Sequence, residues 1–218
     1  MDFSSIIIYE DEDILAVDKP VGIASEGGRI GQQDIESMAK NYRSSKGEPA
    51  EVHMIHRLDQ PVGGVLLMAK NQKAAAYLSM QIQNGRMEKI YYAKVKGAPK
   101  EETGELTDYL VRGPKNMTVV ANGPQKNAKK AVLGYEVLEA QSGNAESLLK
   151  VNLQTGRHHQ IRVQLANAGF PIVGDRRYGN AENAEETLCL HSVEIKFSHP
   201  RTKSEMKLKT FSVPFCAN

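Results

Sequence analysis

Apolar residues in this chain fall into short runs bounded by turn formers, and the runs change period along the sequence. Two β-like runs, 6–9 and 14–18, are broken by the acidic turn Glu10 to Asp13, and Lys19, Pro20 and Gly22 end the second. Residues 32–42 then take helical spacing, with Ile35, Met38 and Ala39 on one face. Gly27, Gly28 and Gly31 read as a connection, since no Gly-Lys-Ser/Thr follows at phosphate-loop spacing. Past a loop at 44–49, Val65, Leu66 and Leu67 predict a short buried strand. Asn71 suits the N-cap of a helix in which Ala74, Leu78 and Ile82 recur on one face, and Gly85 closes it. The next run alternates: Lys89, Tyr91, Ala93 and Val95 take one side of a strand, Tyr92, Lys94 and Lys96 the other. Runs at 106–111, 117–121, 131–138 and 147–153, separated by Gly-Pro, Asn-Gly-Pro and Ser-Gly-Asn turns, predict an antiparallel meander. A helix is expected from about 158 to 168, with Ile161, Leu165 and Ala168 as its apolar stripe and Gly169 and Pro171 as its stop; His158 and Arg162 would share another line of it.

Composition narrows the class without naming a function. With 218 residues, 40% hydrophobic and 25% charged, the chain can bury a sizeable core and reads as globular; we expect one domain over residues 1–218. No apolar run approaches the ~18 residues of a membrane helix, and the amino terminus is acidic where a secretory signal would be basic then apolar. A cytoplasmic protein is expected, with Cys189 and Cys216 as reduced thiols. A net charge of +2 is low for a nucleic-acid binder, so distribution matters more. Acids gather at Glu10 to Asp13 and Glu182 to Glu186, bases at Lys126 to Lys130, Arg157 to Arg162 and Arg176 to Arg177; a solvated face is the more common explanation of any single cluster.

The stretch HRLDQPVGGVLLMAKN, residues 56–71, concentrates the candidate chemistry. It sets Asp59 in a loop at a sheet edge, before Pro61, Gly63 and Gly64 and a buried strand that would hold the loop still. From local chemistry alone Asp59 reads two ways, as a turn cap or as a presented carboxylate. Tyr91 reads as a core ring or a ligand platform, and Arg162 as a surface ion pair or an active-site cation. Two histidine pairs, His53 with His56 and His158 with His159, raise the question of metal. Zinc wants three or four converging ligands, and the first pair lies in an extended approach while the second is expected to point different ways, so no metal site is assigned.

Five segments in order decide between these readings. HRLD with its glycine turn and strand resembles the catalytic motif of the RluA-type RNA pseudouridine synthases. EKIYYAKVKG (88–97) is similar to that family's Lys-x-Tyr-x-Ala-x-Val-x-Gly segment, and LQTGRHHQIRVQLANAGFPIVGDRRYG (153–179) to its most characteristic block. Residues 6–23 resemble its opening hairpin and 188–214 its closing strands. The resemblance implies an α+β fold: a mixed, predominantly antiparallel sheet with flanking helices and a central RNA-binding cleft. It implies isomerisation of specific uridines in ribosomal or transfer RNA, without cofactor or metal, by a monomer. Asp59 matches the catalytic aspartate, Tyr91 the ring that packs on the base and Arg162 the arginine that pairs with the carboxylate. His56, Arg57, Lys89, Arg157, His159 and Leu190 match substrate-binding positions, although Leu190 would look the same as a core leucine.

The chemistry suits these groups. Pseudouridine formation breaks the bond from N1 to C1′, turns the base and rejoins it through C5. A dry, ionised carboxylate beside an arginine serves as nucleophile at C1′ or as base at C2′, and both routes stay open. A uridine within stacked RNA must be flipped out and stacked on a ring. An RNA-binding protein on the same scaffold without catalysis, and a metal-dependent nuclease, are the alternatives; the first would keep its cellular role without Asp59, and the second lacks a ligand cluster. The chain departs from the family pattern at Val62, Gly63 and Gly64, where Thr-Ser-Gly is usual, and at His158 and Gln164, where threonine and histidine are commoner. It resembles the minimal members, without the small amino-terminal S4 RNA-binding domain.

Overall fold

A computed structural model describes residues 2–28, 31–140, 145–179 and 187–216. The acidic run 182–186 and the Ser-Gly-Asn turn at 142–144 lie outside the described residues. The chain divides into two compact units, Met1–Lys89 with Ser192–Cys216, and Ile90–His191. Together they hold eleven strands and three α-helices among the described residues, and the strand pairing is predominantly antiparallel, so the expected α+β class holds. No described helix is long and apolar enough to cross a membrane.

Unit one is built on strands β1 (Ile7–Glu10), β2 (Ile14–Lys19), β3 (His53–Met54), β4 (Gly63–Ala69), β10 (Leu190–Ser198) and β11 (Glu205–Lys209). The order is β1-β2-β4-β10, with β3 on β4 and β11 on β10. Every residue of β4 is buried, as expected of a strand inside a sheet with both faces covered. Val65, Leu67 and Ala69 point to one face and pack with Ala74 and Leu78 of α2 (Gln72–Gln83). Asn71 caps that helix as predicted, its side chain accepting from the Ala74 amide at 2.9 Å. Helix α1 (Ile35–Ser45) starts three residues later than its period suggests. Asp34 is the reason: its carboxylate takes the Ser37 amide at 2.8 Å, satisfying a helix-end donor only if the helix begins after it. The acidic turn after β1 finds partners within this unit, with Glu10 on Lys70 at 2.8 Å, Asp11 on His199 at 2.7 Å and Asp13 on Arg201 at 2.6 Å.

Unit two carries β5 (Glu88–Lys96), β6 (Thr103–Arg112), β7 (Thr118–Ala121), β8 (Lys129–Ala140), β9 (Glu146–Leu153) and α3 (Gln160–Asn167). Its order is β5-β9-β8-β6-β7. This corrects the simple meander, because β6 lies between β7 and β8 and pairs with both, Leu110 facing Val120 on one side and Lys129 on the other. The predicted alternation of β5 is present: Lys89, Tyr91, Ala93 and Val95 are buried, while Tyr92, Lys94 and Lys96 are half-exposed. Helix α3 is shorter than expected, since His159 takes a left-handed conformation (φ 52°) that no helical turn accepts. His158 and His159 therefore lie before the helix, and His158 shares no helical line with Arg162.

Candidate active site

Asp59 lies in the loop entering β4, and its two neighbours are fixed by groups from the end of β2 and the segment after it. Ser25 Oγ donates to the Leu58 carbonyl at 2.8 Å and accepts from the Leu58 amide at 3.0 Å. Lys19 is 1% exposed, and its ammonium donates to three backbone carbonyls, those of Ile23 at 2.7 Å, Pro20 at 3.0 Å and Gln60 at 3.3 Å. Gln60 is joined to Gly22 twice more, through the backbone at 2.9 Å and through its side-chain amide at 2.9 Å. A turn from the Val62 amide to the Asp59 carbonyl, 2.9 Å, completes the frame. Burial lowers the Lys19 pKa to about 8, a shift that the negative charge of Asp59 partly opposes.

His56 links this loop to the strand behind it. Its Nε2 accepts the Leu67 amide at 3.2 Å, so Nδ1 carries the proton of the neutral ring, and Nδ1 is buried with no hydrogen-bond partner among the described residues. Burial, and then the charge of Lys89, pushes its pKa down to about 3, which keeps the ring neutral throughout the physiological range. Lys89 is itself buried, and burial lowers its pKa. Arg57, by contrast, is exposed and reaches Glu26 at 3.0 Å.

In unit two, Tyr91 is 5% exposed, opposite Val151 on β9. Arg162 is equally buried, and a carboxylate with no role assigned from sequence holds it: Nε and a terminal nitrogen both meet Asp175, each at 2.8 Å. Burial pushes the Asp175 carboxyl up, but Arg162 and the amides of Arg177 and Tyr178 outweigh it and hold the group below the usual carboxylate range. Tyr178 extends the group, its ring 5.3 Å from the guanidinium carbon and its hydroxyl 2.8 Å from His159 Nδ1. The expectation that His158 and His159 point apart is wrong. Their rings stack with centroids 3.6 Å apart, because the left-handed turn at His159 folds one ring over the other.

The predicted residues fall in both units. In unit one Asp59 and His56 belong to a single loop framework, with Lys89 acting on His56, and Arg57 stands on the surface. In unit two His159 and Arg162 share Tyr178, whereas Arg157 is exposed with its Nε on the Lys130 carbonyl at 3.1 Å, and Leu190 is buried where β10 begins. Lys19, Asp175 and Tyr178 were not singled out by their sequence context. Lys19 looked like the end of a strand, and Asp175 carried a signal only in following Gly174, whose φ of 74° marks a tight turn. No group of three or more metal-ligating side chains converges among the described residues.

Residues 13–167 match the family described as RNA pseudouridylate synthase. The chain is 34% identical over 202 residues to the dual-specificity RNA pseudouridine synthase RluA of Vibrio parahaemolyticus, covering 90% of this chain and 78% of that protein. It is 32% identical to the ribosomal large subunit pseudouridine synthase C of Rickettsia conorii, covering 96% of this chain and 68% of the relative. Among solved structures, human RNA pseudouridylate synthase domain containing 4 superimposes with a TM-score of 0.77 at 23% identity, over 98% of this chain and 90% of that one, a likeness of fold. With the family match spanning most of the chain and curated relatives agreeing over nine-tenths of it, this protein belongs to the RNA pseudouridylate synthases, the isomerases that convert uridine in RNA to pseudouridine.

Proposed function

We propose that this protein isomerises specific uridines of ribosomal or transfer RNA, with Asp59 as the reactive carboxylate and the uridine flipped out of its stack. The observation that carries the reading is the fixation of Asp59 from both sides, by Ser25 on Leu58 and by Lys19 and Gly22 on Gln60. A loop that merely turns a chain needs no buried ammonium beneath it, whereas a reacting group gains from being held in place before substrate arrives. Asp59 either attacks C1′, displacing N1, and is itself displaced when C5 bonds to C1′, or takes a proton from C2′ as the bond from N1 to C1′ breaks and returns it as C5 bonds to C1′; in both routes the base turns in between and the C5 proton leaves. Tyr91 stacks on the base, and Arg162, oriented by Asp175, favours the ionised carboxylate. His56, Arg57, Lys89, Arg157, His159 and Leu190 contact the RNA around the flipped nucleotide. The relatives named for both ribosomal and dual-specificity action motivate testing both RNA classes.

The test is tritium release from RNA labelled at uridine C5, with wild type and Asp59→Asn on ribosomal and transfer RNA. Wild type is expected to release label, and the variant at least 10³-fold less, since a lost nucleophile or base costs that order or more. Equal release by both proteins would remove Asp59 from the chemistry.

A further inference from the structure

Two arginines of unit two, Arg112 and Arg177, join one hydrogen-bonded cluster, and a third, Arg157, adjoins it as the sequence neighbour of His158. Asn116 is the centre of the cluster: its side-chain oxygen accepts from Arg112, and its backbone carbonyl accepts from Arg177 at 3.4 Å. It reaches both because it takes the left-handed conformation (φ 57°), which asparagine tolerates well, directly after Lys115 in the same conformation (φ 52°). Arg112 also donates to His158 Nε2 at 3.1 Å. That bond fixes the ring: Nε2 is the acceptor, so the proton is on Nδ1, which donates to Thr118 Oγ1 at 2.8 Å. Beside His158 in sequence, Arg157 is held by the Lys130 carbonyl. Arg112, Lys115, Lys130, Arg157 and Arg177 are all exposed. None of the described ion pairs engages Arg112, Arg157 or Arg177, although exposed cations elsewhere, such as Lys207 and Lys209 on Glu194, do meet carboxylates.

From this we infer that the surface formed by the end of β6, the turn at Asn116 and the segments on either side of α3 is a phosphodiester-binding track, in which Arg112 and Arg177 grip the RNA backbone outside the nucleotide being isomerised. The inference deepens the function proposed above and rests on it for the identity of the ligand as RNA. The physical case is one of preparation. A guanidinium is a planar fork matched to phosphate oxygens, and ordering its long side chain is a main cost of binding. Here neutral acceptors, Asn116 and His158, order two forks without consuming their charge, as a carboxylate would. His158 is where this chain departs from the commoner family residue. A threonine there, the commoner residue in the resembling family, is too short for a ring-nitrogen bond to Arg112, so His158 is a positioning residue for the track.

The test measures RNA affinity against salt concentration for the full chain by fluorescence anisotropy, with a labelled single-stranded RNA. Each lost phosphate contact lowers the slope of log K on log salt by roughly 0.7 for a single strand, so Arg112→Gln with Arg177→Gln should be shallower by about 1.4. Arg112→Lys with Arg177→Lys, which keeps both charges, should retain most of the slope and guards against a folding defect. Lys207→Gln with Lys209→Gln removes the same charge elsewhere and should match wild type. A wild-type slope in the glutamine pair, or an equal loss in the Lys207 and Lys209 pair, overturns the track. Tritium release by wild type is measured in parallel: no release together with the expected slopes would sink the isomerase reading and leave the track standing.

Discussion

At the scale of single residues, the frame around Asp59 depends on an ammonium buried under it, and that makes its stability pH-dependent in a definite direction. Lys19 has its pKa lowered from 10.5 to about 8 by burial. Between those values the unfolded chain holds the proton that the folded chain has released, so the unfolded state binds more protons and stability from this group rises with pH. Below about 8 both states are protonated and the burial penalty is present in full. Relative to Lys19→Met, wild type should therefore gain stability from pH 8 to 10 in urea unfolding. At pH 7 the methionine variant should still be weaker by roughly 1–3 kcal/mol, since it leaves carbonyls of Pro20, Ile23 and Gln60 without their donor. A difference that stays flat across the alkaline range would show that Lys19 does not titrate as described. Sequence named Asp59, Tyr91 and Arg162 because each sits in a local motif. It passed over Lys19 because the partner that gives it a role, Gln60, is 41 residues away.

At the scale of elements, β4 can begin where it does only because residue 64 lacks a side chain. Gly64 has φ +107°, and a Cβ there would lie 2.0 Å from the Ser192 carbonyl oxygen of β10, a clash with backbone. Gly64→Ala should cost more than about 4 kcal/mol or prevent folding, because neither strand can yield without losing its ladder. Gly134→Ala in β8, whose nearest neighbour is 3.8 Å away, should stay within roughly 1 kcal/mol of wild type. Soluble yield and thermal midpoint read both variants, and a Gly64→Ala protein melting with wild type would contradict the contact. The glycine turn was visible in sequence, but the strand that forbids a Cβ arrives 128 residues later. Helix starts show the same division. Asn71 was legible because its capping partner is three residues on, whereas the turn at His159 was not, since His-His followed by helix formers reads as helix until tertiary bonds to Thr118 and Tyr178 hold the rings.

At the scale of the whole molecule, the histidines of sequence interest each make hydrogen bonds within their own unit. His53 meets Glu51 at 2.7 Å, His56 accepts from Leu67, and the stacked pair binds Thr118 and Tyr178. If Asp59 carries the chemistry as proposed, a transition-metal chelator such as phenanthroline should leave tritium release unchanged. Loss of release that zinc restores would require a site the described residues do not form. Strand order belongs to this scale too. The runs of unit two were read correctly as strands, but placing β6 between β7 and β8 is a choice among pairings of similar local strength, and packing selects it: Leu110 and Ala131 meet Val163 of α3, with Val120 and Tyr178 against them.

The sequence by itself determined what depends on near neighbours: strands and helices through their periods, the Asn71 cap, the Asp59 turn, and the family through ordered motifs. Tertiary structure decided what depends on groups distant along the chain. It set Lys19 beneath the Asp59 loop, gave Arg162 to Asp175, closed the space at Gly64 and drew Arg112, His158 and Arg177 around Asn116. The physical reason is range: a period or a cap is fixed by bonds a few residues apart, whereas burial, ion pairing and steric exclusion act through space between segments whose meeting no local pattern encodes.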